Sequence, residues 1–416
     1  MSTFRPKLAE VSSQWHTRDG RPVLVLQNAL GLSDSAIALP PELALLPALC
    51  DGSRDVGALR AALLLRAGVR ISEELLSQIL QQMDEALLFE GERLAQARSE
   101  ALRRYQAADG RPPASAGSAY PSDAGSAALM LGQLLEECAR QTEPPELPAP
   151  AEALRGILSP HIDYYRGGPV YAGTWRLAAP ALRQADLVVI LGTDHRGGDG
   201  TLTLTRQSYR TPWGILPTDR PALERLTARL GAEAALANEL HHAVEHSVEL
   251  AAVWLHYMAL QTAGGAEAPF SILPILCGSL DAVIEGRGTL EQYPQVRELV
   301  QELRAVASER RVVFVAAADL AHMGPAFGGY PVGFVERAAC RAADEALLRA
   351  VCAGDAEGFL ERIVREGNRR NVCGVTPIYL MLAALGPAQG VTTGYQLCPA
   401  DEGSTSIVSV AGALLW

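Results

Sequence analysis

The chain lacks any apolar run approaching the ~18 uninterrupted residues that a membrane-spanning helix requires. It also lacks an excess of positive charge: 36 Lys and Arg stand against 47 Asp and Glu, for a formal net charge of −11. A surface for nucleic acid or anionic lipid needs a basic patch, so neither partner is expected. No Cys-x-x-Cys occurs among the seven cysteines (Cys50, Cys138, Cys277, Cys340, Cys352, Cys373, Cys398), which are odd in number and scattered. That argues against a disulfide framework and for a reducing, cytoplasmic setting, with most of these residues buried as small hydrophobes. The opening residues, MSTFRPKLAEVSSQWH, carry no apolar h-region, so no secretory signal is expected.

What is present is a globular composition, 48% hydrophobic, spread over 416 residues. That length exceeds one ordinary core, and roughly two to three domains are expected. The stretch PVLVLQNALGLSDSAIAL reads as a short β segment. From Pro40, apolar residues recur at three- and four-residue spacing through LLFEG, the pattern of three short helices. Asp51-Gly52-Ser53 forms a turn between two of them, and Ser72 opens the third with Glu73 and Glu74 in its first turn, as the helix dipole prefers. Phe89-Glu90-Gly91 ends it. A small winged-helix-type domain is predicted, and the runs LALLPALCDGSRDVGALRAALL and ISEELLSQILQQMDEALLFEG resemble the PqqD-like family. That resemblance implies capture of a peptide or partner protein along a winged-helix edge; a helical domain without a binding role is the alternative.

Residues 107–122, AADGRPPASAGSAYPS, are rich in Gly, Pro, Ala and Ser and read as linker. The predicted division is 1–112 and 113–416. Beyond a helix at AALMLGQLLEECARQ and a breaker-rich TEPPELPAPAE, the pattern becomes α/β from Arg155. Strand-like runs (LRGILSPH, DLVVILGTDH, SILPILCGSL, RRVVFVAAADLAH, STSIVSVAGALLW) alternate with longer amphipathic helices. This favours a buried mixed or parallel sheet with helices on both faces.

Three of those strands run into metal-competent side chains: LRGILSP into His161, DLVVILGT into Asp194-His195, and RRVVFVAAA into Asp319, with His322 three residues on. In open α/β sheets ligands bind beyond the carboxyl ends of strands, so these ends are predicted to converge. A single His after a strand is more often structural; three such ends among only eight histidines are harder to dismiss. Cys373, just before Pro377 and the helix IYLMLAAL, is either a buried helix-start cysteine or a thiolate stabilised by the helix dipole. His246 in Glu-His-Ser-Val-Glu is either poised for proton transfer beside carboxylates or part of a solvated cap, with Ser247 able to cap the helix. His241 and His242 read as loop residues, His256 as packed in an apolar helix, and His16 carries no signal.

Together these segments resemble the Memo family, which includes the AmmeMemoRadiSam system protein B group. The resemblance runs from about Ser118 to Trp416 through AGSAYPSDAGSAALMLGQLLEEC, SPHIDYYRGGPVYA, LGTDHRG, YRTPWGILPTD, EHSVE, ILPILCGSL, AADLAHMG and NVCGVTP, in the family's order. It implies a mixed sheet flanked by helices, like class III extradiol dioxygenases, with His161, His195 and Cys373 as metal ligands. Asp319 and His322 would be neighbours and His246 would line the cleft, making these three the catalytic candidates. Copper or iron is implied as the metal; two imidazoles and a thiolate also suit zinc, and do not suit magnesium or calcium. Two departures stand out. Ile162-Asp163-Tyr164 replaces the frequent Ala-Gly-Tyr, making Asp163 a candidate ligand, ligand partner or proton acceptor. Leu250-Ala251-Ala252 replaces a polar residue and a proline. The functions implied are a metal-dependent, dioxygenase-like oxidoreductase, or a non-catalytic metal- or peptide-binding adaptor working with a radical-SAM partner.

Overall fold

The computed structural model describes residues 4–141, 143–262 and 268–416. They form two compact units, 1–107 and 108–416. Among the described residues no helix is long and apolar enough to cross a membrane.

The first unit has a three-stranded antiparallel sheet in the order β1 (Val11–Arg18), β2 (Arg21–Asn28), β3 (Ile37–Leu39). Asp19 and Gly20, both at positive φ, close the β1–β2 hairpin. Asp-Gly is a strong hairpin signal, yet only one β segment was expected here: β1 reads VSSQWHTR and is exposed along most of its length, so it carries little apolar alternation. Helices follow at Val56–Ala67 and Glu73–Glu85, the latter capped by Ser72 as predicted. A further helix, Glu92–Ala107, continues past Gly91, where the sequence pattern was read as ending. Only Leu94 and Tyr105 of its sixteen residues are buried, so its apolar stripe is too thin to show in the sequence.

The second unit is built on an eight-stranded mixed sheet. Its order is β11 (His322–Met323), β13 (Ile407–Leu415), β4 (Gly156–Ser159), β10 (Val312–Ala317), β5 (Leu187–Thr193), β9 (Ser271–Cys277), β6 (Leu202–Leu204), with β12 (Gly390–Pro399) paired to β13. A separate hairpin joins β7 (Tyr209–Thr211) to β8 (Gly214–Leu216). Strands β4, β10, β5 and β9 run parallel; β13 and β6 are antiparallel to their neighbours. Both faces are covered. Val188 and Ile190 of β5 join helices Ala124–Gln141, Tyr164–Leu182 and Ser247–Thr262, while Leu187, Val189 and Leu191 face helices Pro294–Glu309 and Val375–Leu385. Strand β12 went unread because its residues are Gly, Thr and Gln among apolar ones, nearly all half-buried.

The stretch read as linker is instead anchored. Arg111 is fully buried, and its guanidinium ion-pairs with Glu249, also fully buried. It donates further to the carbonyl oxygens of His242 (2.6 Å) and Glu245 (2.7 Å). The Glu249 carboxylate also accepts from Ala114 N, Ser115 N and the Tyr120 hydroxyl at 2.9, 2.9 and 2.6 Å. Gly and Pro give this stretch its turns, but its polar groups are consumed by one buried carboxylate, so it belongs to the second unit.

Replacing Arg111 with Met strands the Glu249 charge in the interior. The expected cost is about 3–5 kcal/mol of stability, with a lower denaturation midpoint, and the double variant Arg111→Met/Glu249→Gln should recover part of it. Urea unfolding of the three proteins checks this; a single variant as stable as the parent contradicts it.

Candidate metal centre

Register decides where the polar strand ends meet. Ala317 at the end of β10 pairs with Ser159 of β4 on one side and Gly192 of β5 on the other. The residues that follow each strand therefore leave the sheet side by side: Pro160-His161, Asp194-His195 and Ala318-Asp319.

His161 is almost completely buried. Its backbone N–H donates to Asp319 Oδ1 (2.8 Å), and its Nδ1 lies 2.9 Å from the Ala317 carbonyl. A carbonyl only accepts, so Nδ1 carries the hydrogen and Nε2 presents its lone pair. Nε2 lies 3.3 Å from Cys373 Sγ and 3.8 Å from Asp319 Oδ2. Burial, together with the neighbouring His195 and His246, drives the His161 pKa well below its ordinary value, so the ring is neutral and ready to ligate.

Cys373 is carried by a tight loop in which Asn368 and Asn371 sit at φ 45° and 50°, a conformation asparagine tolerates better than most residues. Asn371 Nδ2 donates to the His322 carbonyl (3.2 Å), tying the loop to β11. Gly374 follows; a Cβ there would stand 2.5 Å from Ala318 Cβ and 2.6 Å from the Asp319 carbonyl, so glycine lets the loop reach the end of β10. Of the two readings of Cys373, a buried helix-start cysteine or a thiolate stabilised by the helix dipole, the surroundings favour the first: although Cys373 keeps some accessible surface, desolvation by the surrounding protein and the nearby Asp319 carboxylate hold its pKa well above the ordinary value. Without a cation the sulfur is a neutral thiol donating toward His161 Nε2.

His195 follows β5 and remains one-third exposed. Its Nδ1 is 3.0 and 3.1 Å from the two Glu245 carboxylate oxygens, leaving Nε2 for the cleft. Donor atoms of His161, His195 and Cys373 all lie within 4.8 Å of one another. A second set, His195, Glu245 and His246, meets the same spacing. The rings of His161, His195 and His246 have centroids 4.9–5.3 Å apart. Two imidazoles and a sulfur, two of the three partly or wholly withdrawn from solvent, fit a borderline-to-soft transition metal.

The other sequence candidates sort as follows. Asp319 is buried, which raises its pKa against the pull of His322 and the His161 N–H, and it faces His161. His322 donates from Nδ1 toward the Leu320 carbonyl at 3.2 Å and packs its ring against Phe327; it belongs to neither ligand set. For His246, burial opposes the charged form, but the hydrogen bond and charge of Glu245 outweigh it and raise the pKa. Asp163 fills none of the roles considered for it: it caps helix Tyr164–Leu182, accepting from Arg166 N (3.1 Å), and pairs with Arg166 Nε (2.6 Å). His241 and His242, read as loop residues, instead open the short helix His241–Val244, and both are buried. His241 pairs with Asp194 at 2.9 Å, and His242 bridges the Tyr209 hydroxyl (2.7 Å) and the Thr203 carbonyl (3.0 Å). His256 is packed and bonded to Thr211 Oγ1 (2.7 Å), as expected. Ser247 does not cap its helix; its hydroxyl donates to the Thr193 carbonyl (2.8 Å), and Glu245 accepts from His246 N and Ser247 N. Glu245, which bonds His195 and neighbours His246, is a residue that sequence reasoning did not single out; its signal was an acid two residues before a helix start, flanking a histidine.

A family model described as Memo-like protein matches residues 111–413. Among curated relatives, a MEMO1 family protein of Methanosarcina barkeri is 30% identical over 276 residues, spanning 66% of this chain and 86% of the relative. One from Methanopyrus kandleri is 28% identical over 302 residues, 71% of this chain and 93% of the relative. A third, from Aquifex aeolicus, is 25% identical over 306 residues, 73% of each. The matched span starts at Arg111, the buried residue that anchors the second unit, and takes in the mixed sheet save the last two residues of β13; the chain belongs to the Memo family.

Proposed function

We propose that this Memo-family chain binds one transition-metal ion through His161, His195 and Cys373, and that it works as a metal-dependent, dioxygenase-like oxidoreductase. The observation that carries this reading is the approach of His161 Nε2 and Cys373 Sγ to 3.3 Å, with a His195 donor inside the same 4.8 Å set. The proton shared between sulfur and imidazole is the one a cation would displace. Copper and iron suit this donor set and redox work, and zinc suits the donors alone. The ion's contribution would be to bind and polarise oxygen or a substrate oxygen.

The chain's own residues supply the rest. Asp319 holds His161 through its backbone N–H. His246, two-fifths exposed with a raised pKa, is placed to accept a proton from a bound molecule and hold it against Glu245. His322, whose pKa burial lowers, stays a neutral acceptor behind Asp319. A thiolate in place of a third oxygen donor also exposes the centre to sulfur oxidation.

The adaptor reading draws on the first unit. There β1 is an edge strand eight residues long, with most of its side chains exposed, the geometry by which a peptide adds to a sheet. In that reading the unit is a PqqD-like domain that presents a peptide or partner protein, with a radical-SAM enzyme as co-worker.

His195→Ala should lower metal affinity strongly without unfolding the protein, and Cys373→Ser should lose the preference for soft ions. Elemental analysis and metal titration check both, and equal retention by both variants would remove the ligand assignment. Because the thiol must lose its proton to ligate, uptake should release a proton, and affinity should rise about tenfold per pH unit below the thiol pKa. Calorimetry in buffers of different ionisation enthalpy reads that release, which Cys373→Ser should abolish. Oxygen uptake with catechol-like compounds tests turnover: none with copper, iron or zinc favours the adaptor. Asp319→Asn should reduce turnover more than metal retention.

A further inference from the structure

We infer that Glu245 is the positioning residue of this centre: one buried carboxylate fixes which nitrogen of both His195 and His246 carries the proton, and so turns both Nε2 atoms toward the cleft. This rests on the metal-site reading above and adds a residue to it that touches no cation itself.

The argument is one of donors and acceptors. Glu245 is 1% exposed. It accepts backbone N–H groups from His195 (3.1 Å), His246 (2.8 Å) and Ser247 (3.0 Å), contacts that favour the ionised carboxylate. An ionised carboxylate has no hydrogen to give, so any ring nitrogen bonded to it must be the donor. Nδ1 of His195 lies 3.0 Å from Oε2, and Nδ1 of His246 lies 3.0 Å from Oε1. Both rings are therefore held as the Nδ1–H tautomer, stacked with centroids 4.9 Å apart. His161 reaches the same tautomer differently, through the neutral Ala317 carbonyl. A carboxylate partner makes an imidazole more basic and a stronger donor than a carbonyl does.

The carboxylate is itself held from behind. The Glu245 carbonyl receives Arg111 (2.7 Å), whose charge is matched by Glu249 one helical turn further on. Glu245 lies within the His195–Glu245–His246 set, which has spacing for a second ion. Its oxygens already take three backbone N–H groups and two ring nitrogens, which leaves them poorly placed to ligate.

The test begins with metal-free protein labelled with ¹⁵N-histidine, at alkaline pH where the rings are neutral. His195 and His246 resonances are assigned by His195→Ala and His246→Ala. Both should report Nδ1–H; Nε2–H or mixed tautomers in the unaltered chain would overturn the inference, with no variant needed. Glu245→Gln keeps one oxygen for the backbone N–H groups but offers an NH2, so one of the two rings should switch to Nε2–H. Cobalt(II) titration of the same variant should show affinity reduced about 10–100-fold, with a shifted d–d spectrum. Unchanged tautomers, affinity and spectrum in Glu245→Gln would overturn the positioning role, and so would two cobalt ions bound per unaltered chain. Absence of a thiolate-to-cobalt band in the unaltered chain is a separate result: it would end the metal-site reading while leaving the tautomer measurement standing.

Discussion

The parallel register of β4, β10 and β5 is the constraint on which the second unit depends. Ala317 sits opposite Ser159 and Gly192 at once, so three strands stop on one line and their following residues share one crevice. Parallel strands buried on both faces have no solvent side on which to place polar groups. The first positions where histidine and aspartate become tolerable are the strand ends. A register slip in β10 would turn its side chains to the opposite face and move Asp319 away from His161.

Around that line the protein spends buried carboxylates, each of which is costly to desolvate unless hydrogen-bonded. Asp319 holds the His161 backbone, Glu245 holds two imidazoles, and Glu249 holds the 111–120 segment with Arg111. Glu249 lies in the first turn of helix Ser247–Thr262, and Glu245, four residues earlier, just precedes that helix. The anchoring of the chain entering this unit and the orientation of the site histidines are thereby one connected network. The high pKa of the Cys373 thiol belongs to the same economy: a crevice already holding Asp319 and Glu245 resists a further negative charge unless a cation arrives with it.

Much of this was legible in the residue order. Five strands of the mixed sheet, β4, β5, β9, β10 and β13, appear as apolar runs, and His161, His195, Asp319 and Cys373 stand out because they end such runs or precede a helix. Strand β12, helix Glu92–Ala107 and hairpin strand β1 were not legible, since each has a face too polar or too half-buried to show a period. The supposed linker misled for a related reason. Gly, Pro and Ser mark turns equally in a loose segment and in one nailed down by a distant carboxylate, and Glu249 lies more than a hundred residues away.

By itself the sequence determined the strand-helix alternation, the family resemblance and the identity of the metal-competent side chains, because these depend on local pattern and chemical type. Only the tertiary structure decided what those side chains are. It made Cys373 a neutral thiol where the sequence left thiol and thiolate open, made Asp163 a cap, and buried His241 and His242. It also gave Glu245 its two imidazoles. Protonation and tautomer depend on desolvation and on which acceptor a ring nitrogen meets, and both are set by residues far apart in the chain.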